Sequence, residues 1–110
     1  MLHETDARNV YPLKDSTSMV AASLCEPLAC VLHGQDQARI KPGSTVVVTG
    51  CGPIGLLHIR AANHAGAKVI ASDISPERLE KAREFGAALA VDPSKTDLRQ
   101  PVLAETDGWG

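Results

Sequence analysis

Residues 45–55 read TVVVTGCGPIG, and Asp73 follows the last glycine of this stretch by eighteen residues. The β-branched run predicts a buried strand, and the G-x-G-x-x-G pattern predicts a tight turn that opens a helix. A second apolar run, over residues 68–72, leads directly into Asp73. A strand, a glycine turn, a helix and a second strand that ends in an acid form the dinucleotide-binding fingerprint in its full context. The stretch therefore predicts the first half of a nicotinamide-nucleotide site.

Each residue of this motif has a separate predicted role. Gly50 permits the tight turn, Gly52 lets the backbone approach the pyrophosphate, and Gly55 lets the helix pack closely on the strand. Pro53 is the expected first residue of the helix, whose N-terminus offers N–H groups and a partial positive charge to the phosphates. Asp73 is expected to accept hydrogen bonds from both ribose hydroxyls. Because its carboxylate would repel a 2′-phosphate, we predict NAD rather than NADP.

Two other interpretations of the motif stay open from the residues alone. S-adenosylmethionine sites of methyltransferases also combine glycines with an acid in this way, and a glycine turn can belong to an unrelated α/β protein. Asp73 has an alternative role as well, that of an ordinary strand-end residue that caps the following turn.

Apolar spacing and capping residues predict the remaining elements. We expect a helical segment over residues 16–39 that is broken near Glu26 and Pro27, because proline suits the first turn of a second helix. The helix after the glycine turn is expected to face inward with Ile54, Leu57, Ala61 and Ala65. Ser75 and Pro76 indicate a further helix start. The predicted strands are residues 45–49, 68–72 and 88–91, and the last predicted helix is 97–105.

The order β-α-β-α-β predicts an α/β fold, the first half of a doubly wound parallel-sheet (Rossmann) nucleotide-binding domain preceded by a helical connecting segment. We assign residues 1–43 to that connecting segment, which leads from a catalytic domain, and residues 44–110 to the N-terminal half of the domain. In the strand order 3-2-1-4-5-6 the first of three strands lies at an edge. Because a fully apolar edge strand favours aggregation, we expect the chain to be a truncated piece.

Composition narrows the function classes. The chain has 110 residues, 11 basic against 13 acidic, and no basic patch, which argues against a nucleic-acid or membrane surface. The first residues are polar and mixed in charge, so no signal peptide is expected. Three cysteines without framework spacing predict reduced thiols and a cytoplasmic protein.

Glu26 stands inside the apolar run of residues 21–30. Burial of this carboxylate would be costly unless a metal ion, or a water on a metal, paired with it. The alternative is an exposed glutamate at a helix start, stabilised by the helix dipole. The sequence by itself leaves both interpretations open.

Four segments resemble the zinc-containing medium-chain alcohol dehydrogenases, and the likeness runs over nearly the whole chain. The Glu-Pro-Leu form is most similar to the polyol (sorbitol-type) branch. The segments are SLCEPLA at 23–29, VTGCGPIGLL at 48–57, SDISPERL at 72–79 and FGA at 85–87.

The resemblance implies roles for three further residues. Glu26 matches the glutamate at the catalytic zinc, Arg78 matches the basic residue that reaches the adenosine ribose, and Ile54 matches the residue behind the nicotinamide ring. It implies a homo-oligomeric parent enzyme that uses zinc and NAD to oxidise a secondary alcohol or polyol to a ketone. The family's other zinc ligands and its proton relay have no match here, so we expect no catalytic residue in this chain and no activity from it alone. A stand-alone, non-catalytic NAD-binding module is the alternative.

Overall fold

The computed structural model describes residues 10–110. The first nine residues, which include the polar start and part of the predicted connecting segment, lie outside the described residues. Helices and strands alternate after an initial helical pair. In chain order the elements are α1 (Met19–Ala22), α2 (Cys25–Gln37), β1 (Thr45–Thr49), α3 (Pro53–His64), β2 (Lys68–Ser72), α4 (Pro76–Glu84), β3 (Leu89–Val91) and α5 (Arg99–Ala104).

The strands form one parallel sheet in the order β1-β2-β3. Val47 of β1 pairs with Ile70 of β2, and Ile70 pairs in turn with Leu89 of β3. The central strand is the most deeply buried, whereas Val47 on the edge strand is 40% exposed. The parallel βαβαβ topology confirms the predicted α/β class and strand order. The division of the chain at residues 43 and 44 stays a prediction.

The core lies between the sheet and the helices α3 and α4. Ile59 and Ala62 of α3 meet Val69 and Ala71 of β2, and Leu79 and Ala82 of α4 join them. Ser75 caps α4 by accepting a hydrogen bond from the Arg78 N–H, and Pro76 is the first residue of that helix. Within residues 10–110 no helix is both long enough and apolar enough to cross a membrane. The cytoplasmic location stays a prediction.

The predicted inner face of α3 is wrong. The residues of α3 that are buried against the sheet are Ile59 and Ala62, while the predicted Ile54 is 52% exposed. The other three predicted residues, Leu57, Ala61 and Ala65, are only partly buried. The physical reason is that α3 packs on two neighbours, the sheet on one side and α2 on the next, so apolar residues occupy more than one face.

The helical pair before β1 also differs from its prediction in one detail. The break falls at Ser23 and Leu24, before Glu26 and Pro27 rather than at them. Pro27 lies in the first turn of α2, as expected of a residue without an N–H group. The helix α2 is joined to α3 through the buried Gln35, whose Nε2 donates to the carbonyl oxygen of His58 at 2.8 Å.

Candidate dinucleotide-binding site

The glycine turn between β1 and α3 is held against β2. Gly50 adopts φ +87°, a left-handed conformation that favours glycine, and its N–H donates to the Ser72 carbonyl oxygen at 2.7 Å. A Cβ on Gly55 would lie 1.9 Å from the Gly50 carbonyl oxygen, so the helix can start here only with glycine at this position. A Cβ on Gly52 would meet no atom within 4 Å. Space is therefore left in front of α3 at Gly52, while packing within the chain requires glycine at Gly55.

The N-terminus of α3 faces this space. Pro53 is the first residue of the helix and has no N–H group to satisfy. The remaining N–H groups of a first helical turn have no partner within the helix, and the helix dipole adds a partial positive charge there. The exposed Ile54 projects from the same turn. The arrangement can hold an anion such as a pyrophosphate.

Asp73 joins the end of β2 to the glycine turn. Its Oδ2 accepts a hydrogen bond from the Cys51 N–H at 2.8 Å, and its Oδ1 accepts one from the Ser75 N–H at 2.8 Å. The residue is only 7% exposed. These backbone hydrogen bonds, with that from Ser75 the stronger influence, hold the pKa of the Asp73 carboxyl below its ordinary value of 3.8. Asp73 thus caps the following turn, and each of its oxygens has a further lone pair for a ligand.

Arg78 lies beside this carboxylate at the start of α4. Its Nη1 is 3.7 Å from the Asp73 Oδ2, and its side chain is largely exposed. The guanidinium is therefore at the rim of the site, where it can approach a ligand held by Asp73. The structure brings together Gly50, Gly52, Gly55, Asp73 and Arg78 around the carboxyl ends of β1 and β2.

A cleft of about 420 Å³ opens at these strand ends. Its lining combines the polar groups of Asp73 and Arg78 with apolar side chains. The apolar residues were not predicted from the sequence, although ligands of open parallel sheets lie outside the carboxyl ends of the strands and β3 ends just before Pro93. The cleft can take a flat, partly apolar group beside a hydroxyl-bearing one, as a nucleoside presents. The missed lining residues are Ile74, Pro93 and Leu98.

Glu26 lies away from this cleft, exposed in the first turn of α2. Its Oε1 accepts a hydrogen bond from the Cys30 Sγ at 3.2 Å, and this bond raises the pKa of the Cys30 thiol. Among residues 10–110 no three His, Cys, Asp or Glu side chains lie close enough together to hold a metal ion. A catalytic zinc needs three protein ligands, so the described residues do not form a zinc site by themselves.

The parallel sheet, the glycine turn and the acid at the end of β2 define a Rossmann-type nucleotide-binding unit. Comparison with known proteins shows which family this unit belongs to. Residues 53–110 match the family described as zinc-binding dehydrogenase. The (R,R)-butanediol dehydrogenase of Bacillus subtilis is 43% identical over 106 residues, which are 96% of this chain and 30% of that protein. The sorbitol dehydrogenase of Halalkalibacterium halodurans is 42% identical over 92 residues, 82% of this chain and 27% of that protein.

A solved structure agrees with these sequence matches. A protein of Escherichia coli CFT073 described as a short chain alcohol dehydrogenase, in complex with NADH, superimposes with a TM-score of 0.81 at 30% identity, over 94% of this chain and 31% of that one. The chain belongs to the zinc-binding dehydrogenase family. The resemblance to zinc-containing medium-chain alcohol and polyol dehydrogenases is confirmed. The chain spans between 27% and 30% of the length of these two curated relatives.

Proposed function

We propose that this chain forms the adenosine- and pyrophosphate-binding part of an NAD site in a zinc-dependent dehydrogenase. The observation that carries the proposal is the hydrogen bond from the Cys51 N–H to the Asp73 Oδ2, which joins the glycine turn to the acid. It joins the turn that leads into the α3 N-terminus to the carboxylate at the end of β2. A dinucleotide carries both a pyrophosphate, which suits a helix N-terminus, and a ribose diol, which suits a carboxylate.

Different residues of the chain bind different parts of the dinucleotide. The first turn of α3 binds the pyrophosphate, with Gly52 leaving room for its close approach. Asp73 accepts from the ribose hydroxyls through the lone pairs that Cys51 and Ser75 do not occupy, and Arg78 closes the rim. An ionised, buried carboxylate at this point disfavours a 2′-phosphate, which supports NAD over NADP.

The reaction of the whole enzyme is proposed from the family. NAD supplies hydride chemistry when bound, and the alcohol substrates named for the relatives suggest oxidation of a secondary hydroxyl of a diol or polyol to a ketone. Glu26 is the candidate for contact with the zinc, directly or through a water. Because residues 10–110 lack a complete ligand set, we propose that this chain alone does not turn over substrate.

The test of the cofactor site is isothermal titration of the chain with NADH and with NADPH. The two variants Asp73→Ser and Asp92→Ser are a matched pair, since each aspartate follows a strand and caps a turn. We expect NADH to bind more tightly than NADPH. We also expect Asp73→Ser to reduce that preference by about tenfold, because hydrogen bonds to a charged acceptor contribute roughly 1.5–3 kcal/mol.

Asp92→Ser controls for loss of a turn cap without loss of the ribose acceptor, and it is expected to leave the preference unchanged. An equal change in both variants would contradict the assignment of Asp73, as would NADPH binding as tightly as NADH. S-adenosylmethionine is titrated in parallel. Family membership favours NADH, and tighter binding of S-adenosylmethionine would instead support the methyltransferase alternative.

A turnover assay separates a dehydrogenase part from a complete enzyme. The chain is mixed with Zn²⁺, NAD and either butane-2,3-diol or sorbitol, and NADH formation is followed by absorbance. We expect NADH binding without NADH formation. Steady turnover that depends on Zn²⁺ would show that the chain assembles a complete site, contrary to the proposal.

A further inference from the structure

The side chain of Cys51 takes no part in the proposed cofactor contacts, although the residue stands between Gly50 and Gly52 in the glycine turn. Cys51 is 1% exposed and belongs to the core cluster that includes Ala71 of β2 and Leu79 of α4. It does not line the nucleotide cleft. A buried side chain therefore anchors a turn whose backbone lies at the candidate site.

Hydrogen bonds join this turn to the end of β2. The Gly50 N–H donates to the Ser72 carbonyl oxygen at 2.7 Å, and the Cys51 N–H donates to the Asp73 Oδ2 at 2.8 Å. The Cys51 thiol donates to the same Ser72 carbonyl oxygen, with the sulfur at 3.7 Å, as a weak S–H donor. Cys51 is thus bonded to the end of β2 through both its backbone and its side chain.

The thiol stays uncharged near the carboxylate. Burial, and then the charge of Asp73, raise the pKa of the Cys51 thiol above its ordinary value of 9.0. A protonated thiol does not repel Asp73, and it packs as a small apolar group. The property by which the Cys51 side chain acts on its surroundings is therefore its size.

The surroundings of Cys51 are tight on the core side and open at the turn. Ile59 and Ala71 of the same core cluster are fully buried, and a close-packed interior yields little to an added methyl group. By contrast, a Cβ on Gly50 or on Gly52 would meet no atom within 4 Å. A larger side chain at position 51 would therefore displace the turn before it displaced the core.

We propose that Cys51 is a positioning residue for Asp73, because its small buried side chain holds the glycine turn where the Cys51 N–H reaches the Asp73 Oδ2. This inference rests on the proposed function, in which Asp73 binds the ribose hydroxyls. Displacement of the turn by about 1 Å would take the hydrogen bond from 2.8 Å beyond the normal range. The carboxylate would then lose one of the two N–H groups that fix its orientation, the other being that of Ser75.

A size series at position 51 tests the proposal, and its first readout is the pKa of the Asp73 carboxyl in the nucleotide-free chain, measured by carbon NMR. We expect Cys51→Val and then Cys51→Ile to raise this pKa progressively, because the Cys51 N–H is the second largest cause of its depression. Cys51→Ala removes the thiol but leaves the turn in place, so the pKa is expected to stay low. Cys51 does not have a positive φ, so a β-branched residue fits its backbone.

Ala62→Val is the matched control, since Ala62 is fully buried in the same core cluster but lies near the C-terminal end of α3. It is expected to lower the urea midpoint as Cys51→Val does, because both variants overpack the core, and to leave the Asp73 pKa unchanged. An unchanged pKa in folded Cys51→Val would overturn the proposal, whether or not Cys51→Ile folds. An equal rise in Ala62→Val would also overturn it, because any disturbance of the core would then suffice.

Isothermal titration with NADH and NADPH gives the second readout. We expect Cys51→Val to weaken NADH binding by about tenfold, which corresponds to the loss of one hydrogen bond to a charged group, and to weaken NADPH binding less. Ala62→Val is expected to leave both affinities unchanged. Undiminished NADH affinity in Cys51→Val would overturn the proposal. If the unaltered chain binds no NADH, the proposed function fails, and the pKa series alone decides whether Cys51 positions Asp73.

Discussion

The ends of β2 and β3 carry the same local hydrogen-bonding motif, yet only one of them forms part of the candidate site. Asp73 follows β2 and accepts from the Ser75 N–H at 2.8 Å, and Asp92 follows β3 and accepts from the Ser94 N–H at 3.0 Å. Both are aspartates that cap the turn two residues onward. A sequence comparison of these two segments alone would rank them as equivalent.

The second carboxylate oxygen makes the difference. In Asp73 it accepts from the Cys51 N–H of the glycine turn, and the side chain is 4% exposed. In Asp92 it faces the Lys95 Nζ at 2.8 Å, and the side chain is 12% exposed. The strand β2 lies beside β1 and its glycine turn, whereas β3 does not. A turn-capping aspartate thus becomes a candidate ligand residue only where the neighbouring strand brings a helix N-terminus to it.

The causes of the lowered pKa also differ between the two carboxyls. Backbone N–H groups, first that of Ser75 and then that of Cys51, lower the pKa of Asp73. For Asp92 the hydrogen bond from the Lys95 side chain is the first cause and those from Ser94 follow, and together they lower its pKa to about 2. Backbone N–H groups hold the Asp73 carboxylate, whereas an exposed lysine side chain and Ser94 hold that of Asp92, so the two should respond differently to mutation.

The largest change in the free energy of unfolding is expected at the glycine turn, which lies beside the end of β2 and not beside that of β3. Gly55→Ala places a Cβ 1.9 Å from a backbone oxygen, and we expect it to destabilise the chain by about 3 kcal/mol, since the clash is with backbone. Gly52→Ala meets no atom and is the control, with a change within about 0.5 kcal/mol. Urea unfolding followed by circular dichroism measures both. Similar losses in the two variants would mean that the turn is not packed as described.

Asp73→Asn and Asp92→Asn compare the two carboxylates directly. The amide has one acceptor oxygen, so the variant of Asp73 leaves the N–H of either Cys51 or Ser75 without its partner. We expect a loss of about 2 kcal/mol in the free energy of unfolding. The more open Asp92 should tolerate the change better, because water can replace the lost acceptor. A larger loss for Asp92→Asn, by thermal or urea unfolding, would reverse the comparison.

The loss of stability in acid provides a further test of the two aspartates. Because both carboxyls have a folded pKa below 3.8, they contribute stability that is complete well above that pH and is lost as pH falls toward 2. We expect the free energy of unfolding of the chain to fall between about pH 5 and pH 2, and to fall less steeply in Asp73→Asn. Urea titrations at a series of pH values measure the slope. An unchanged slope in the variant would show that Asp73 titrates alike in the folded and unfolded chains.

The smallest effects are expected when the cationic side chains of Lys95 and Arg78 are removed. Lys95→Ala should raise the pKa of Asp92 from about 2 toward 3.8, because Lys95 is the first cause of its depression. Arg78→Ala should raise the pKa of Asp73 by less, since both backbone hydrogen bonds outrank Arg78. Carboxyl carbon shifts followed by NMR across the acid range report each group separately. The opposite ranking would mean that charge, rather than the backbone, holds Asp73 ionised.

Local structure was predicted closely where single residues dictate the backbone. The bounds of β1 and β2, the start of α3 at Pro53 and the cap of α4 at Ser75 all agree with the structure. Proline, glycine and a capping hydroxyl act within a few residues of themselves, so no distant part of the chain is needed to place them. The positions of α3 and α4 relative to β2 follow from the parallel topology that this order of elements requires.

The inner face of α3 and the apolar lining of the cleft could not be predicted in the same way. Apolar spacing shows that a helix has a buried side but not which of two apolar sides meets the sheet when a second helix, α2, covers the other. Ile74, Pro93 and Leu98 have no shared motif, and they line one cleft because three strand ends meet there.

The sequence by itself determined the elements, their order and the position of the acid after β2, because propensity, capping and steric demand operate over a few neighbouring residues. The spacing from the glycine turn singled out Asp73, but only the tertiary structure decided that its carboxylate bonds to that turn and becomes buried there. Two N–H groups that are distant from each other in the chain, those of Cys51 and Ser75, converge on one buried carboxylate when β1 and β2 pair. That convergence depends on which strands become neighbours, and no local pattern around either aspartate encodes it.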